Sequence, residues 1–334
     1  MPELPEVETI RRDLAASLIG RKLARVELLN LKTARNDAAF FVNALSGRSF
    51  ENIERYGKLL AFRLNKSKVS SLNESKANSL NKSKASQSKK GLVGADYLLV
   101  HLKMTGQLIL ETKGRQFAGG HSLSEKSFSA AVGGALPNKH TRAIFTFQKD
   151  VGTNKKDAGT KTAPCRLFFN DLRKFGYLKI VSASELEKIV AASYGPEPLA
   201  PEFTVLYLTD LLRSRKTNIK ALLLNQKLIA GLGNIYVDEA LFLAGVRPDR
   251  IASSLKLEEI KKLQTAIKRV ITQAIAARGT TFSNYVDSSG NQGNFSRLLK
   301  VYGRASEPCR NCHQPISKQK LAGRGTHFCS VCQK

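Results

Sequence analysis

The most specific chemical pattern in the chain is formed by four of its five cysteines, which lie in the C-terminal tail. Cys309 and Cys312 form one Cys-x-x-Cys pair. Cys329 and Cys332 form a second pair after sixteen intervening residues. Each pair can supply two sulfurs from one tight turn, so two pairs complete the thiolate tetrahedron that Zn²⁺ prefers. Because four protein ligands leave no open position for water, the pattern predicts one structural zinc ion.

A second chemical possibility lies at the N-terminus, where residues 1–8 read MPELPEVE. Removal of Met1, which is common before proline, would leave Pro2 with a free secondary amine. An α-amino group has an ordinary pKa of about 7.7–8.0, against about 10.4 for lysine, so this amine is better suited to act as a nucleophile near neutral pH. The positive end of the helix that follows would further disfavour its protonation. Glu3 could act beside it as a general acid and base. The plainer alternative is that Pro2 and Glu3 only begin a helix.

The charge of the chain indicates a polyanionic partner. Lysine and arginine together number 54 against 27 acidic residues, which leaves a net charge of +27. Nucleic acid is the leading candidate, because each neutralised phosphate releases condensed counterions. An anionic membrane surface is the rival, but no stretch approaches the roughly 20 apolar residues of a membrane span. The acidic, proline-containing N-terminus does not resemble a signal peptide, so we expect a cytoplasmic protein that meets the nucleoid through DNA.

The elements that must position these residues begin with a helix. Val7, Ile10, Leu14 and Leu18 recur at helical spacing and predict one apolar face. Short runs of strand-forming residues follow, at the spacing of an antiparallel sandwich or barrel-like domain. The predicted strands are 59–64, 97–102, 107–110, 143–147, 166–170 and 177–181.

The clearest domain boundary is residues 194–201, YGPEPLAP, in which three prolines and a glycine separate two periodic regions. Beyond it the apolar periodicity becomes helical. The predicted helices are 205–212, 219–225, 235–243 and 255–277. The predicted division is an N-terminal domain at 1–192, a linker at 193–202, a helical domain at 203–300 and a metal-binding tail at 301–334.

Three polar insertions interrupt the predicted strands, at 65–91, 112–138 and 149–162. The first contains a near-repeat, SLNESKA at 71–77 and SLNKSKA at 79–85. Such a composition cannot bury enough apolar area to offset the entropy of ordering, so we expect a mobile loop. The other two are similar but less extreme. The lysines of the first insertion could contact phosphates, although a solvated loop is the simpler interpretation.

Several stretches of the sequence resemble the formamidopyrimidine-DNA glycosylase family. The similarity runs nearly end to end and leaves only the polar insertions without counterparts. It implies an α+β multidomain fold, with an N-terminal antiparallel β-sandwich and flanking helices, a helix–two-turns–helix domain and a C-terminal zinc finger. It also implies a monomeric bifunctional DNA glycosylase and AP lyase that acts on double-stranded DNA containing oxidised bases. The matching stretches are MPELPEVE at 1–8, HLKMTG at 101–106, DLRKFG at 171–176, GLGNIY at 231–236, TT at 280–281, GNQGNF at 290–295 and VYGR at 301–304.

The resemblance implies four catalytic residues. Pro2 would form a Schiff base with the sugar, and Glu3 would protonate the ring oxygen and shuttle protons. Lys58 aligns with the lysine that donates a proton during β-elimination, and its alternative is a solvated hairpin lysine. Arg324 aligns with the zinc-finger arginine that serves δ-elimination and grips the phosphates beside the lesion, for which a forked guanidinium is well suited.

Further residues match the DNA contacts of the family. Because an excised base must leave the stack, a wedge must fill the gap, and Met104, Arg173 and Phe175 match that wedge. The alternative is that Met104 and Phe175 are core residues. His140, Arg215 and Asn234 match phosphate contacts, with Lys216 and Lys220 as weaker additions, and Gly231 and Gly233 would let backbone amides approach a phosphate. The departures are Leu172 in place of a proline and Lys174 in place of an arginine, and Asn294 lies in a variable loop expected to cover the flipped base.

Three functions stay open at the level of sequence. The first is excision of oxidised purines such as 8-oxoguanine and formamidopyrimidines. The second is an endonuclease VIII-like preference for oxidised pyrimidines. The third is a DNA-binding module without catalysis, which would be expected to lose Pro2, Glu3 or Lys58. Leu4 and the complete wedge favour the purine substrate.

Overall fold

The computed structural model describes residues 2–66, 94–112, 115–120, 128–148, 165–280 and 295–334. The predicted insertion 149–162 lies outside these ranges, as does all of 65–91 except its first two residues. The motif at 290–295 lies outside them apart from its last residue, and so does Asn294. Within the described ranges, no helix is both long and apolar enough to cross a membrane.

The N-terminal half of the chain forms two antiparallel sheets that share one core. The strands are β1 (Leu23–Leu28), β2 (Phe50–Tyr56), β3 (Leu59–Leu64), β4 (Tyr97–His101), β5 (Gly106–Thr112), β6 (Arg115–Gly120), β7 (Thr141–Phe147), β8 (Arg166–Asp171) and β9 (Tyr177–Val181). One sheet has the spatial order β1-β7-β8-β5-β6 and the other the order β2-β3-β4-β9. Between them, the Phe50 ring lies 6.0 Å from the Phe147 ring of the opposite sheet. The predicted antiparallel sandwich is confirmed.

All six predicted strand segments form strands, but the sequence did not indicate β1, β2 and β6. Strands β1 and β2 read LARVEL and FENIERY, and each buries few of its side chains. A register shift near the start of each strand, after Leu23 and after Phe50, breaks the alternation of apolar and polar residues that identifies a half-buried strand. These two strands are recognisable only from their pairing in the sheet.

The segment 112–138, predicted as a polar insertion, contains regular structure where it is described. Strand β6 pairs with β5 along its whole length, from Thr112 opposite Arg115 to Gln107 opposite Gly120. A Cβ at Gly119 would lie 2.3 Å from Cγ1 of Ile10, so this strand packs directly on the N-terminal helix. The prediction of a loop was wrong there because pairing to a buried strand compensates for the polar composition.

Helices flank the sandwich and form the second domain. The N-terminal helix buries Val7, Ile10, Leu14 and Leu18, as predicted. The helices are α1 (Leu4–Leu18), α2 (Ala38–Leu45), α3 (Phe128–Val132), α4 (Ala183–Ser193), α5 (Val205–Arg213), α6 (Ile219–Leu223), α7 (Asn234–Ala244), α8 (Leu257–Ala276) and α9 (Phe295–Leu298). Helices α5 to α8 match the four predicted helices to within a few residues.

Side-chain caps define where α5 and α6 begin. The Thr204 hydroxyl accepts a hydrogen bond from Tyr207 N at 3.0 Å, and the Asn218 side chain accepts one from Ala221 N at 2.7 Å. Such caps satisfy backbone N–H groups that have no partner inside the helix. Helix α7 is different because Gly233 precedes it and has no side chain to offer. A residue from elsewhere must cap it.

The C-terminal tail is a hairpin docked on the end of α7. Strands β10 (Ser317–Leu321) and β11 (Arg324–Phe328) pair antiparallel. The Gln333 side chain accepts a hydrogen bond from Cys329 N at 2.8 Å and donates one to Val246 O at 2.8 Å. This amide therefore fastens one cysteine turn to the backbone just beyond α7.

A cluster of charged side chains ties the linker to the N-terminal domain. The Glu197 carboxylate accepts two hydrogen bonds of 2.8 Å from the Arg55 guanidinium and one of 2.7 Å from Gly57 N. On its other side, Arg55 Nε donates to Glu8 of α1 at 3.0 Å. Arg55 thus joins three elements and fixes the β2–β3 turn that carries Lys58.

We expect Arg55→Gln to lower the free energy of unfolding by about 2 kcal/mol, because Glu197 then keeps only its hydrogen bond from Gly57 N, whereas Glu8 still pairs with two other arginines of α1. The side chain of Arg55 is only 11% exposed. Arg63, on β3, forms a 3.7 Å pair with Glu51 in which both side chains are about half exposed, and it serves as the matched control. Arg63→Gln should cost under about 1 kcal/mol. Urea unfolding of both variants measures the difference, and equal losses would contradict the assigned role of Arg55.

Candidate active site and DNA interface

Glu3 supplies the missing cap of α7. Its carboxylate accepts hydrogen bonds from Ile235 N at 3.0 Å and from Tyr236 N at 3.5 Å. A Cβ at Gly233 would lie between 2.2 and 2.6 Å from three carboxylate atoms of Glu3, so only glycine permits this approach. The first residues of the chain therefore reach across the domain boundary to the positive end of a helix 230 residues later in sequence.

Burial gives the Glu3 carboxyl an unusual acidity. The residue is 2% exposed, and this desolvation raises its pKa from 4.5 to about 7. The positive charge of Lys58 and the backbone donors of α7 act in the opposite direction, but they do not outweigh burial. A carboxyl group with a pKa near 7 can both donate and accept a proton at neutral pH, which is the property required of a general acid and base.

Lys58 lies beside this carboxyl and is buried as well. Its ammonium donates a hydrogen bond of 2.7 Å to Leu232 O, and the residue is 6% exposed. Burial lowers the pKa of Lys58, and the charge of Arg324 acts in the same direction, whereas Glu3 acts to raise it. The alternative of a solvated hairpin lysine is therefore wrong.

Pro2 is buried at the start of this stretch, next to Glu3. The backbone on its C-terminal side is fixed at two points. Glu3 N donates to a carboxylate oxygen of Glu6 at 2.9 Å, and Leu4 N donates to Gly231 O at 3.1 Å. A nucleophile at Pro2 would therefore be held in one orientation beside the acidic group of Glu3.

Glu6 is a site residue that sequence reasoning missed. Besides Glu3 N, its carboxylate accepts hydrogen bonds from Tyr236 OH at 2.5 Å and from Thr280 N at 2.9 Å. It is 1% exposed and joins α1, α7 and the segment that lies four residues beyond the end of α8. The signal was present in the sequence, since a glutamate three residues after the start of a helix is the spacing of a capping box.

Arg324 projects from the zinc-finger hairpin as an exposed residue at the start of β11. Its charge contributes to lowering the pKa of both Lys58 and Lys220, which places the guanidinium near the buried site. The hairpin is attached to α7 at the next residue, because Asn234 Nδ2 donates to Gly325 O at 2.9 Å. The structure thus brings Arg324 and Asn234 close to the capped end of α7.

Met104, Arg173 and Phe175 meet at one surface. Arg173 Nη1 lies 3.2 Å from the Met104 sulfur, and the guanidinium carbon lies 4.9 Å from the centre of the Phe175 ring. Phe175 is 52% exposed, and Met104 is partly exposed. The alternative that both are core residues is therefore wrong. An exposed apolar pair with one guanidinium has the composition of a wedge that enters the base stack.

The loop beneath this surface is held by a buried aspartate. Asp171 accepts hydrogen bonds from Gly176 N at 2.7 Å and Arg173 N at 3.2 Å. Lys174, one of the departures from the family pattern, adopts a positive φ of 60° at the turn. Leu172, the other departure, is 43% exposed and packs into no core. Neither departure conflicts with the geometry of the loop.

The remaining predicted DNA contacts differ in accessibility. His140 is partly exposed, and its carbonyl accepts a hydrogen bond of 2.9 Å from Asp171 N. It therefore lies beside residues 172–176, the wedge loop that carries Arg173 and Phe175. Arg215 and Lys216 are exposed in the turn between α5 and α6. Lys220 is fully buried, and its ammonium donates to Asp238 at 2.6 Å. The prediction that Lys220 contacts phosphate was wrong, because a buried carboxylate holds its charge inside the protein.

The two glycines before α7 have a packing role in addition to the predicted one, which stays a prediction. A Cβ at Gly231 would lie 2.4 Å from Cδ1 of Leu4, and Gly231 has a φ of +90°. Gly233 approaches the Glu3 carboxylate in the same way. Both glycines admit the N-terminal residues of this chain to the start of α7.

The four cysteines of the tail form one metal-binding cluster. Their sulfur atoms all lie within 4.8 Å of one another. The Sγ atoms of Cys309 and Cys332 are 3.9 Å apart, and those of Cys312 and Cys329 are 3.4 Å apart. A tetrahedral ion with Zn–S distances of about 2.3 Å requires sulfur separations of about 3.8 Å. The donor set fits one structural Zn²⁺, as predicted.

We expect Glu3→Gln to stabilise the chain in a pH-dependent manner. Because the pKa of Glu3 is about 7 when folded and 4.5 by its ordinary value, the folded state binds this proton more tightly. The carboxylate therefore costs stability as the pH rises from 4.5 to 7, and the full cost is present above pH 7. Glutamine cannot ionise, so the variant should gain about 3 kcal/mol in free energy of unfolding at pH 8 and little at pH 4.

Urea unfolding at the two pH values measures this effect. Glu258→Gln is the matched control, because a hydrogen bond from Lys261 lowers the pKa of the exposed Glu258. That variant should gain no stability at pH 8. An equal gain for Glu3→Gln at pH 4 and pH 8 would show that ionisation of Glu3 is not the cause.

Family models match most of the chain. Residues 1–178 match the formamidopyrimidine-DNA glycosylase N-terminal domain, and residues 194–286 match the formamidopyrimidine-DNA glycosylase H2TH domain. Residues 306–334 match a zinc finger found in FPG and IleRS. The matches follow the same order as the three structural parts described above, and they confirm the predicted fold class and the zinc finger.

Formamidopyrimidine-DNA glycosylases of several bacteria are similar to this chain over its whole length. The formamidopyrimidine-DNA glycosylase of Symbiobacterium thermophilum is 39% identical over all of this chain and 89% of its own length, and that of Desulfitobacterium hafniense is 37% identical over all of both. The Lactococcus lactis enzyme bound to DNA with an AP site has a TM-score of 0.73 and 30% identity, covering 99% of each chain. A variant of it bound to DNA containing Fapy-dG has a TM-score of 0.74 at 30% identity, with full coverage of both. The chain belongs to the formamidopyrimidine-DNA glycosylase family.

Proposed function

We propose that this chain is a bifunctional DNA glycosylase and AP lyase of base excision repair that removes oxidised purines from duplex DNA. The observation that carries the proposal is the placement of Glu3. Its carboxyl group, with a pKa near 7, lies next to Pro2 and at the positive end of α7. A helix start needs neither a buried acid nor a buried lysine beside it, so this arrangement favours catalysis over a purely structural role.

The first step would be removal of the base. Once Met1 is removed, the neutral amine of Pro2 attacks C1′ of the damaged nucleotide, and the bond from C1′ to the base breaks. Protonated Glu3 donates its proton to the sugar ring oxygen, which opens the ring and leaves an iminium between Pro2 and C1′. The base departs with the bonding electrons and takes up the proton that the Pro2 amine loses when the iminium forms.

Strand cleavage would follow from the same iminium, which acidifies the C2′ hydrogens. Loss of a C2′ proton expels the 3′ phosphate, and a second elimination expels the 5′ phosphate. Lys58 is held close to Glu3 by Leu232 O, with its pKa lowered by burial, and is suited to donate and regain protons during these steps. Arg324 is exposed on the hairpin and can pair with a departing phosphate through its guanidinium fork.

The DNA surface would include the exposed residues around this site. We propose that Met104, Arg173 and Phe175 fill the gap left by the extruded base. We propose that His140, Arg215 and Asn234 contact phosphates of the same duplex. The Zn²⁺ held by the four cysteines would fix the hairpin fold and take no part in the chemistry. The chain would meet this substrate inside the cell, where genomic DNA is found.

A trapping experiment tests the proposed chemistry. The protein with Met1 removed is incubated with a duplex carrying 8-oxoguanine opposite cytosine, in the presence of borohydride, which reduces the iminium to a stable bond. We expect a covalent adduct between protein and DNA. A chain with Met1 retained should form no adduct and should not nick the strand, while its zinc content and DNA affinity stay close to normal. An adduct from the blocked chain would exclude Pro2 as the nucleophile.

A second arm of the experiment addresses substrate class. A Lactococcus lactis relative has been solved with DNA containing an oxidised pyrimidine, at a TM-score of 0.73 and 30% identity. Duplexes carrying thymine glycol therefore belong in the same assay. An adduct with thymine glycol but none with 8-oxoguanine would contradict the purine assignment. Absence of any adduct would favour a DNA-binding module without catalysis.

We expect Phe175→Ala to lower excision from duplex DNA about tenfold, because stacking of an aromatic ring on a base is worth about 1–3 kcal/mol. Phe175 is 52% exposed, so the thermal midpoint should stay unchanged. Leu172→Ala is the matched control, since Leu172 is 43% exposed on the same loop but belongs to no wedge contact. Single-turnover rates compare the variants. Equal losses in both variants, or an equal loss on single-stranded DNA, would contradict the wedge role.

A further inference from the structure

A buried ion pair lies between α7 and the hairpin that carries Arg324. Asp238 and Lys220 both have fully buried side chains, and their charged atoms are 2.6 Å apart. Removing a pair of charges from water is expensive, and such a pair adds little stability compared with apolar residues of the same size. Stability alone is therefore a poor explanation for this pair, and its remaining contacts indicate another role.

The remaining contacts of the pair are made to the hairpin. The second oxygen of Asp238 accepts a hydrogen bond from His327 N at 2.9 Å. Lys220 Nζ donates to Gly325 O at 3.3 Å, in addition to its bond with Asp238. Both hydrogen bonds are made with backbone atoms of β11, so they fix the path of its main chain, and Nδ1 of the His327 side chain also lies 3.6 Å from the same Asp238 oxygen. They lie one and three residues after Arg324.

Helix α7 brings these contacts into register with the catalytic acid. Asn234 and Asp238 are four residues apart and therefore share one face of the helix. Asn234 Nδ2 also donates to Gly325 O, at 2.9 Å, so this face of α7 contacts the hairpin at both Gly325 and His327. The first turn of the same helix is capped by Glu3. One rigid element therefore sets the position of the acid and of the Arg324 hairpin relative to each other.

We propose that Asp238 is a positioning residue that holds the β11 hairpin so that Arg324 faces the sugar–phosphate bond broken in the second elimination. The inference rests on the proposed lyase function of the chain. Asp238 acts through the backbone of Gly325 and His327 and touches no DNA. Its loss should therefore impair the step that needs Arg324 and spare the earlier steps at Pro2 and Glu3.

The test uses Asp238→Asn in the full-length, zinc-loaded protein. Asparagine keeps the size of the side chain but replaces one acceptor oxygen by an NH₂ donor. Its single remaining oxygen cannot take the place of the two carboxylate oxygens that accept from Lys220 and from His327 N. We expect the ratio of δ-elimination to β-elimination product from an AP-site duplex to fall about tenfold, as for a buried donor left without its partner. The rate of borohydride trapping should change less than about twofold, since it reports on Pro2 and Glu3.

A double-mutant cycle separates positioning from a general structural effect. If Asp238 acts through Arg324, then adding Asp238→Asn to Arg324→Ala should lower the product ratio no further. Asp249→Asn is the matched control, because Asp249 pairs with Arg247 at the surface close to the zinc finger. That control should leave the ratio unchanged. An additive loss in the cycle, an unchanged ratio in Asp238→Asn, or an equal fall in trapping and in δ-elimination would overturn the proposal.

Zinc content and thermal midpoint are measured for each variant. If Asp238→Asn fails to fold or to retain zinc, Asp238→Glu becomes the deciding variant, because it keeps both acceptor oxygens and the charge but must displace the hairpin by a methylene group. Its product ratio should fall below that of the unchanged protein, and an unchanged ratio would overturn the proposal. Failure of the unchanged protein to form any adduct would contradict the proposed function itself, which distinguishes the two.

Discussion

The contact between the Glu3 carboxylate and the start of α7 is the interaction on which the rest of the site depends. A helix that begins after glycine lacks a cap of its own, and its first N–H groups need an acceptor. The N-terminal domain provides that acceptor from its third residue. The same contact buries the carboxyl group and raises its pKa to about 7. Capping, domain docking and acid strength are therefore consequences of one placement.

Other acids fix the backbone around the residues proposed to bind DNA in a similar way. Asp171 binds the backbone of the wedge loop, and Glu197 binds Gly57 N in the turn before Lys58. Glu239 accepts three backbone hydrogen bonds of 2.8 to 2.9 Å from residues 300–302, which lead into the zinc finger. Asp238 likewise accepts a backbone hydrogen bond from His327 N of the zinc-finger hairpin. Lysine and arginine outnumber the acidic residues by 54 to 27, so the chain keeps a large positive excess for a polyanionic partner while these acids bind its backbone.

The difference between local patterns and contacts with distant residues explains what could be predicted from the sequence. The zinc ligands follow from their spacing, and the apolar face of α1 and the six strand segments follow from periodicity. Strands β1 and β2 were missed because a register shift near the start of each one breaks that periodicity. The buried acids Glu239 and Asp238 were missed because they look like surface residues of an amphipathic helix. Only their backbone partners, some sixty to ninety residues later in the chain, show that they are buried.

The same distinction between local and distant contacts applies to the site residues. Pro2 and Glu3 could be named from their chemistry, but their setting could not, because it depends on α7. Lys220 was misplaced at the surface because a lysine in a basic chain suggests phosphate, and nothing local in the sequence shows that Asp238 binds it. The acidity of Glu3 likewise belongs to no single segment. It arises only when the two domains pack together, so docking of the helical domain produces the unusual pKa of the proposed general acid and brings together the residues proposed to bind DNA. Any loosening of that packing would hydrate Glu3 and return its pKa towards its ordinary value before the fold itself is lost.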